Sequence, residues 1–413
     1  MTAVGIEDIG AYFGTAHVEV GELFQARGLE QARLANLLMR RKSVALPCED
    51  IVTMAVNAAR PVLDRLGAEG RATIETVVVA TESGVDLAKS AAAFALAFLD
   101  LPKTCRVFEV KQACHGGAAA FQMAAASLAV SPRRGRALVI AGDAPIPVQG
   151  SYAEPSQGAG AIAVLLGEPR LARWHADRYG LWSFDNTDFR RPAVDVDVIN
   201  VDLSIMSYID CLIGSYKNYS EHTASDFGAS FDALAMHTPF PGMVRGAHRT
   251  AARRLSGMDA AGIDLDFKKR VSASLEVPAE VGNIYSGCTL MALASSLRHH
   301  STTTGHELGV YSYGGGCSSE FIGLTASADT ERTPAAAQLD AALSARTKIS
   351  VERYDAVLDV ARRTLPGTPD ADDCLRGVSD LVTTAAHTAG PLLMLGSIKD
   401  HHREYLWCDK DMS

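Results

Sequence analysis

Apolar strand-like runs and alanine-rich helical runs alternate along the first 170 residues of this chain, and no other feature restricts its fold as much. "ETVVVATES" (Glu75 to Ser83), "CRVFEVKQA" (Cys105 to Ala113) and "RALVIAGDA" (Arg136 to Ala144) read as buried strands. Between them "SAAAFALAFLD" (Ser90 to Asp100) and "AAAFQMAAASLA" (Ala118 to Ala129) read as helices, and "GAGAIAVLLGE" (Gly158 to Glu168) as a strand entered through glycines. Strands that alternate with helices define an α/β fold.

The order returns faintly further on. "EVGNIYSGCTLMALASSLRHH" (Glu280 to His300) reads as a strand end, a tight turn and a small-residue helix, and "ELGVYSYGGGCSSEFIGLTA" (Glu307 to Ala326) as two strands about a glycine-rich turn. The 413 residues are enough for one large fold built from two similar halves, so an internal duplication fits. "WSFDNTDFRRPAVDVDVINVDLS" (Trp182 to Ser204) reads as a connecting segment, and the tail beyond about Thr330 as surface helix and loop.

Composition excludes several classes. With 47% hydrophobic and 21% charged residues the chain is neither disordered nor a membrane protein. It has no uncharged apolar run of membrane-spanning length, and its start, "MTAVGIEDIGAYFG", lacks the pattern of a signal peptide, so a cytoplasmic protein is expected. Eight cysteines without a CxxC pair read as reduced thiols and not as a zinc or disulfide framework. A net charge of −9 argues against a nucleic-acid surface. Basic clusters at Arg40, Arg41 and Lys42, at Arg245 to Arg249, and at Lys268, Lys269 and Arg270 read as solvated faces, any of which could meet a phosphate.

Three residues could carry chemistry. Cys114 follows a strand and precedes a helix, where unpaired N–H groups would lower its pKa, and Gly116 and Gly117 would permit a sharp turn. From this stretch alone, a nucleophile and a packed core thiol are equally well served. Glu82 stands where another apolar strand ends, and His237 lies between apolar residues and Thr-Pro. A thiol, a carboxylate and an imidazole, each closing an apolar segment, suit covalent acyl chemistry with acid and base assistance.

"ATESGVD", "EVKQACHGGAAA", "AEPSQGAGAIAVLL", "MHTPFPGMV" and "VGNIYSGCTLMALASSL", in this order, resemble the 3-hydroxy-3-methylglutaryl (HMG) synthases of the thiolase superfamily. The resemblance runs from about Val4 to Ala326 and weakens in the tail. It implies a five-layered αβαβα thiolase fold of two duplicated halves, residues 1–170 and 171–413, the second carrying a C-terminal extension, and a homodimer. By the same resemblance Cys114 is the acyl-accepting nucleophile, Glu82 the general base and His237 the group that assists at the acceptor. Asn283 would lie beside the thioester, and the N–H of Cys114 with one near Gly315 would face its oxygen. His115 stands where many relatives have an aromatic. A charged imidazole there would lower the Cys114 pKa further and a neutral one would not.

The reaction implied is aldol-type condensation of a Cys114-bound acetyl group with the β-ketone of a second thioester, followed by hydrolysis. No metal or redox cofactor is implied, and "GAGAIA" lacks the spacing of a dinucleotide site. "LMRRKSVALPCEDIVTMAVNAARPVLD" and "SYIDCLIGSYKNYSE" resemble the branch that builds β-branches in polyketide (antibiotic) biosynthesis. In that branch donor and acceptor are both carried on phosphopantetheine of acyl carrier proteins. Arg33, Arg40, Arg41 and Lys42 would form a basic rim for an acidic carrier, with Arg33 first for the phosphate. His248 reads as surface or phosphate-facing. Cys288 and Cys317 read as core residues, and Cys48, Cys105, Cys211, Cys374 and Cys408 as structural. The alternatives are an HMG-CoA synthase of the mevalonate pathway using acetyl-CoA and acetoacetyl-CoA, a ketoacyl synthase III or thiolase-type enzyme lacking Glu82, and a non-catalytic carrier-docking scaffold.

Overall fold

The apolar runs do form strands, buried except in the run expected over Cys105 to Ala113, whose strand Arg106–Val110 lies at the sheet edge with no buried residue. In the computed structural model, which describes residues 3–298, 305–327 and 334–411, the first half supplies β1 (Gly5–Tyr12), β2 (Ile74–Ala80), β3 (Arg106–Val110), β4 (Arg136–Asp143) and β5 (Gly160–Gly167). The second supplies β6 (Ala172–Ser183), β7 (Ala233–Met236), β8 (His306–Gly314) and β9 (Ser318–Ala326). Together they make one nine-stranded sheet in the order β3-β2-β4-β5-β1-β6-β9-β8-β7.

The order contains the same motif twice. In the first half β2 and β4 are parallel while β4–β5 and β5–β1 are antiparallel, and β7–β8, β8–β9 and β9–β6 repeat those senses. Among the described residues the second half has no counterpart of β3. The halves meet where β1 pairs with β6 over only Gly5↔Arg173 and Ile6↔Ala172.

Four helices complete the layers. α1 (Ile51–Arg71) covers one face of the first half, its first turn closed by an Asp50 side chain that accepts from the N–H groups of Val52 and Thr53. α2 (Gly116–Val130) and α4 (Cys288–Leu297) pack against each other between the two halves, and α3 (Val201–Thr223) covers β6 and β9. The result is the αβαβα thiolase fold. α4 is buried along its whole length, whereas α2 buries one side and leaves Met123 and Val130 exposed on the other.

Small residues set how closely these layers approach. A Cβ on Gly117 would lie 2.2 Å from the Ser286 carbonyl oxygen and 2.9 Å from the Ala141 Cβ, so the halves touch through a glycine. Gly117→Ala therefore lowers stability by about 2 kcal/mol although alanine is the better helix former. Gly246→Ala, where a Cβ meets nothing within 4 Å, raises it by about 0.5 kcal/mol. Denaturant unfolding of the two variants side by side checks both signs.

Three readings of secondary structure change. The helix expected over Ser90 to Asp100 is only Ala91–Ala95 followed by a 3₁₀ turn, Leu96–Phe98. The turn at Asn283 is entered from a helix, Glu276–Val281, and not from a strand. The connecting segment folds back as a hairpin of Phe189–Ala193 and Val196–Ile199. His299, His300 and residues 328–333 lie outside the described residues. The rest of the tail is not a surface appendage. Thr347–Lys348 pairs with Ala16–His17, the hairpin Leu392–Lys399 with His402–Cys408 packs on α1, and Leu358 and Leu393 are buried. The apolar content of this tail is core material for the first half.

Candidate active site

The repeated strand order brings matching loops to one place. Glu82 and His237 both leave the second strand of their halves, β2 and β7. The Cys114 turn enters α2 as the Asn283–Gly287 turn enters α4, and Asp143 and Gly315 close β4 and β8. Cys114, His237, Asn283, Gly315 and Arg33 line a single cleft of about 460 Å³ with Tyr152, Phe189, Tyr285 and Met243. Glu82 is near enough to the Cys114 thiol for each group to shift the other's proton affinity.

Cys114 owes its position to strain one residue earlier, since Ala113 has φ +43°, a conformation L side chains avoid. The two glycines do not supply the turn. Gly116 and Gly117 are helical, and Gly117 is required by the approach of Ser286. The helix begins at Gly116, so Cys114 lies ahead of its end, and the expected lowering of its pKa is not found. Burial and then the Glu82 carboxylate push the thiol well above its usual value. Burial likewise lowers His115 to about 4, and its Nδ1 lies 2.9 Å from Ser312 Oγ. His115 is therefore neutral at neutral pH and gives Cys114 no charge to lean on.

Glu82 is buried, not solvent-facing. Burial, then the Asp143 charge, raise its carboxyl to about 8, against the opposing pull of Arg191. Arg191 Nη1 lies 3.5 Å from Glu82 Oε2 while its Nε donates to Asp197 Oδ1 at 2.7 Å, and its guanidinium stacks 4.9 Å from the Tyr285 ring centre. Asp143, fully buried, accepts through Oδ1 from the Glu82 N–H (2.7 Å), Thr81 Oγ1 (2.9 Å) and Ser83 Oγ (2.8 Å), and through Oδ2 from the Ser286 N–H (2.9 Å). It thus ties the Glu82 loop of one half to the Ser286 turn of the other.

His237 is held by its backbone, its N–H donating to the Tyr311 carbonyl (2.7 Å) and its carbonyl accepting from Tyr208 Oη (2.6 Å). Its buried Nδ1 has no partner within the protein, and burial lowers the imidazole to about 3. Asn283 Oδ1 accepts from the Tyr285 N–H and the Cys288 thiol, both at 2.9 Å, which leaves the Nδ2 end of the amide as its donor. Next to Gly315, the Gly316 N–H donates to Asp188 Oδ1 at 2.9 Å. Arg33 is exposed at the mouth, 4.4 Å from the Tyr152 ring centre and 3.0 Å from Glu30 Oε2.

The other expected basic groups divide. Arg40 and Arg41 pair with Glu280 and Glu19 and do not line the cleft. Lys42 is buried, donating to the Glu154 carbonyl (2.8 Å) and Tyr354 Oη (2.9 Å), and cannot join a rim. His248 is fully buried with its Nε2 2.7 Å from Asp266 Oδ2, and buried Arg270 forks onto the same carboxylate, so neither is a surface phosphate ligand. Cys288 and Cys317 are buried, as expected. Cys48, Cys211, Cys374 and Cys408 are buried free thiols as well, and Cys105 is half-buried. Among the described residues no group of three or more His, Cys, Asp or Glu side chains is placed to hold a metal ion, and no helix is long and apolar enough to cross a membrane.

Asp143, Asp188, Arg191 and Asp197 are the site residues the sequence reading missed. "RALVIAGDA" carried a signal for the first, an acidic group ending an apolar strand.

A thiol, a carboxylate and an imidazole collected at the strand ends of a thiolase fold define a carbon–carbon bond-forming enzyme of the thiolase superfamily that transfers acyl groups. Residues 1–170 match the model "Hydroxymethylglutaryl-coenzyme A synthase N terminal", and residues 257–366 its C-terminal companion. The polyketide biosynthesis 3-hydroxy-3-methylglutaryl-ACP synthase PksG of Bacillus subtilis is 37% identical over 98% of this chain and 100% of its own length. A hydroxymethylglutaryl-CoA synthase of Enterococcus faecalis is 30% identical over 86% of this chain and 91% of its own. The solved curacin biosynthetic pathway HMG synthase, in complex with an acetyl donor-ACP, superposes with a TM-score of 0.92 at 37% identity, covering 98% of this chain and all of that one. The chain belongs to the hydroxymethylglutaryl synthase family.

Proposed function

We propose that this enzyme condenses a Cys114-bound acetyl group, received from an acetyl carrier protein, with the β-ketone of a polyketide intermediate on a second carrier protein. The product is a 3-hydroxy-3-methylglutaryl-type β-branch. The observation that carries the reading is that Cys114 shares one cleft with His237 and Asn283 while the Glu82 carboxyl is near enough to shift its thiol.

The thiol sulfur attacks the acetyl carbonyl and the pantetheine thiol leaves with a proton. Glu82 then removes a proton from the acetyl methyl. That methyl is a very weak acid, and a carboxylate raised from 4.5 to about 8 is a much stronger base than a free one. The Cys114 N–H, a donor near Gly315 and Asn283 Nδ2 stabilise the enolate oxygen. The enolate carbon attacks the acceptor ketone, and neutral His237 donates an N–H to the alkoxide as it forms. Water then cleaves the thioester to Cys114. Phosphopantetheine is a carrier of substrate here, and the chemistry calls on no further cofactor.

Full-length similarity at 37% to the carrier-dependent synthases, against 30% over a shorter span for the CoA enzyme, supports carriers over free coenzyme A. Exposed Arg33 at the mouth suits the phosphate of a pantetheine arm. We further read residues 1–170 and 171–413 as the two halves, the open edge of β3 as the contact of a homodimer, and the cytoplasm as its place. Intact-mass measurement of the enzyme with acetyl carrier protein and acetyl-CoA in parallel tests the donor. The carrier should load Cys114 at least about tenfold faster. Equal rates would remove the carrier assignment.

A further inference from the structure

Glu82 neighbours the Cys114 thiol but itself lines a space other than the cleft. Beyond the cleft, a second cavity of about 80 Å³ is bounded by Glu82, Arg191, Glu49, Asp50 and Arg403 and by an apolar wall that includes Ala45 and Ala361. It shares no lining residue with the cleft that holds Cys114 and His237. Half-buried Val85, Thr364 and Pro366 bring it toward the surface. A water needs about 10–15 Å³ and two or more polar partners, so this space suits a short file of waters.

Two further observations point the same way. Glu82 Oε1 is buried and has no hydrogen-bond partner within the protein, an unfavourable state for a carboxylate oxygen unless water meets it. Glu49, on the same cavity, is a buried carboxylate that accepts from Tyr12 Oη at 2.5 Å and from the Leu46 N–H at 2.8 Å. Three acidic groups, Arg191 and Arg403 therefore line one small space that the tail of the chain helps to wall.

We propose that this cavity holds the water file through which Glu82 exchanges its proton with solvent, separately from the cleft that the pantetheine arm occupies. The inference rests on Glu82 being the base. Glu82 takes a proton from the acetyl methyl, and the C–H electron pair remains as the enolate. The Glu82 O–H then passes its proton to the adjacent water, which releases one of its own to the next water and on to solvent, restoring the carboxylate. The alkoxide takes the proton of His237, which recovers it from the water that then attacks the thioester, so one net proton, equal to that of the freed carboxylic acid, leaves at each turnover, and an acceptor chain seated in the cleft blocks that side.

The test reads deuterium entering the acetyl methyl of Cys114-acetylated enzyme in D₂O, by mass spectrometry, with and without a carrier protein whose pantetheine ends in an unreactive amide. Wild-type exchange should stay within about twofold when the cleft is plugged, and a fall of about tenfold or more would overturn the proposal. Ala361→Met and Ala45→Leu, which fill the cavity from different walls, should slow exchange by about tenfold while acetylation stays within about twofold. Unchanged exchange in a filled variant that acetylates normally would overturn it too. Glu82→Gln should abolish exchange. Wild-type exchange in that variant would refute the base itself, whatever the cavity does.

Discussion

Glu82→Gln should acquire acetyl on Cys114 at close to the wild-type rate and lose condensation by about a thousandfold or more. Glutamine keeps the shape and can still face the thiol, but it cannot accept a proton from carbon. Single-turnover condensation on pre-acetylated enzyme separates the two steps, and normal condensation in this variant would refute the assignment of the base. The wild-type rate carries a pH signature as well. Because burial and Asp143 hold Glu82 near 8, the ionised fraction grows about tenfold per pH unit below that value and levels above it. The condensation rate should follow. Arg191 opposes that rise, so Arg191→Met should move the limb to higher pH while leaving Cys114 acetylation in place.

Cys114→Ala should abolish the acetyl adduct and reduce condensation by about ten-thousandfold, since no other thiol stands in the cleft. Cys288 is occupied with Asn283, and Cys317 lies against Tyr313 and Asp188. An adduct that persisted in the variant would place the nucleophile elsewhere. The raised thiol also implies that Cys114 is no resting thiolate. Its alkylation by iodoacetamide should keep accelerating beyond about pH 8.5, the range of an ordinary cysteine, where an activated one would already have levelled off.

Strand ends made much of this site legible in the sequence. Glu82, Cys114 and His237 each interrupt an apolar run with a reactive group, and periodicity locates such interruptions well. The depth at which a charge lies is different, because it depends on what another part of the chain lays over it. Lys42, His248 and Arg270 look like surface cations in "MRRKS", "RGAHR" and "DFKKR", yet each is buried against a partner 18 or more residues away, or in Arg270's case four residues away with a distant carbonyl as well. Arg191 was hidden for the same reason. It sits in a segment with no apolar period, and only the folding back of the hairpin brings it to Glu82. The effect of His115 on Cys114 could not be read locally, since burial, not the neighbouring residues, decides its charge. The tail was misread because its amphipathic helices give no sign of which surface they cover.

The repeated strand order has one more consequence. Two identical copies related by a twofold axis can offer a sulfur lying between them only duplicate groups, one from each copy. Here the loop after the second strand holds a carboxylate in one half and an imidazole in the other. Because both halves belong to one chain their sequences need not be the same, so one loop can hold a proton acceptor and its counterpart a donor. The asymmetry of the chemistry, in which a methyl must lose a proton and an alkoxide must gain one, is thus carried by a scaffold whose strand order repeats.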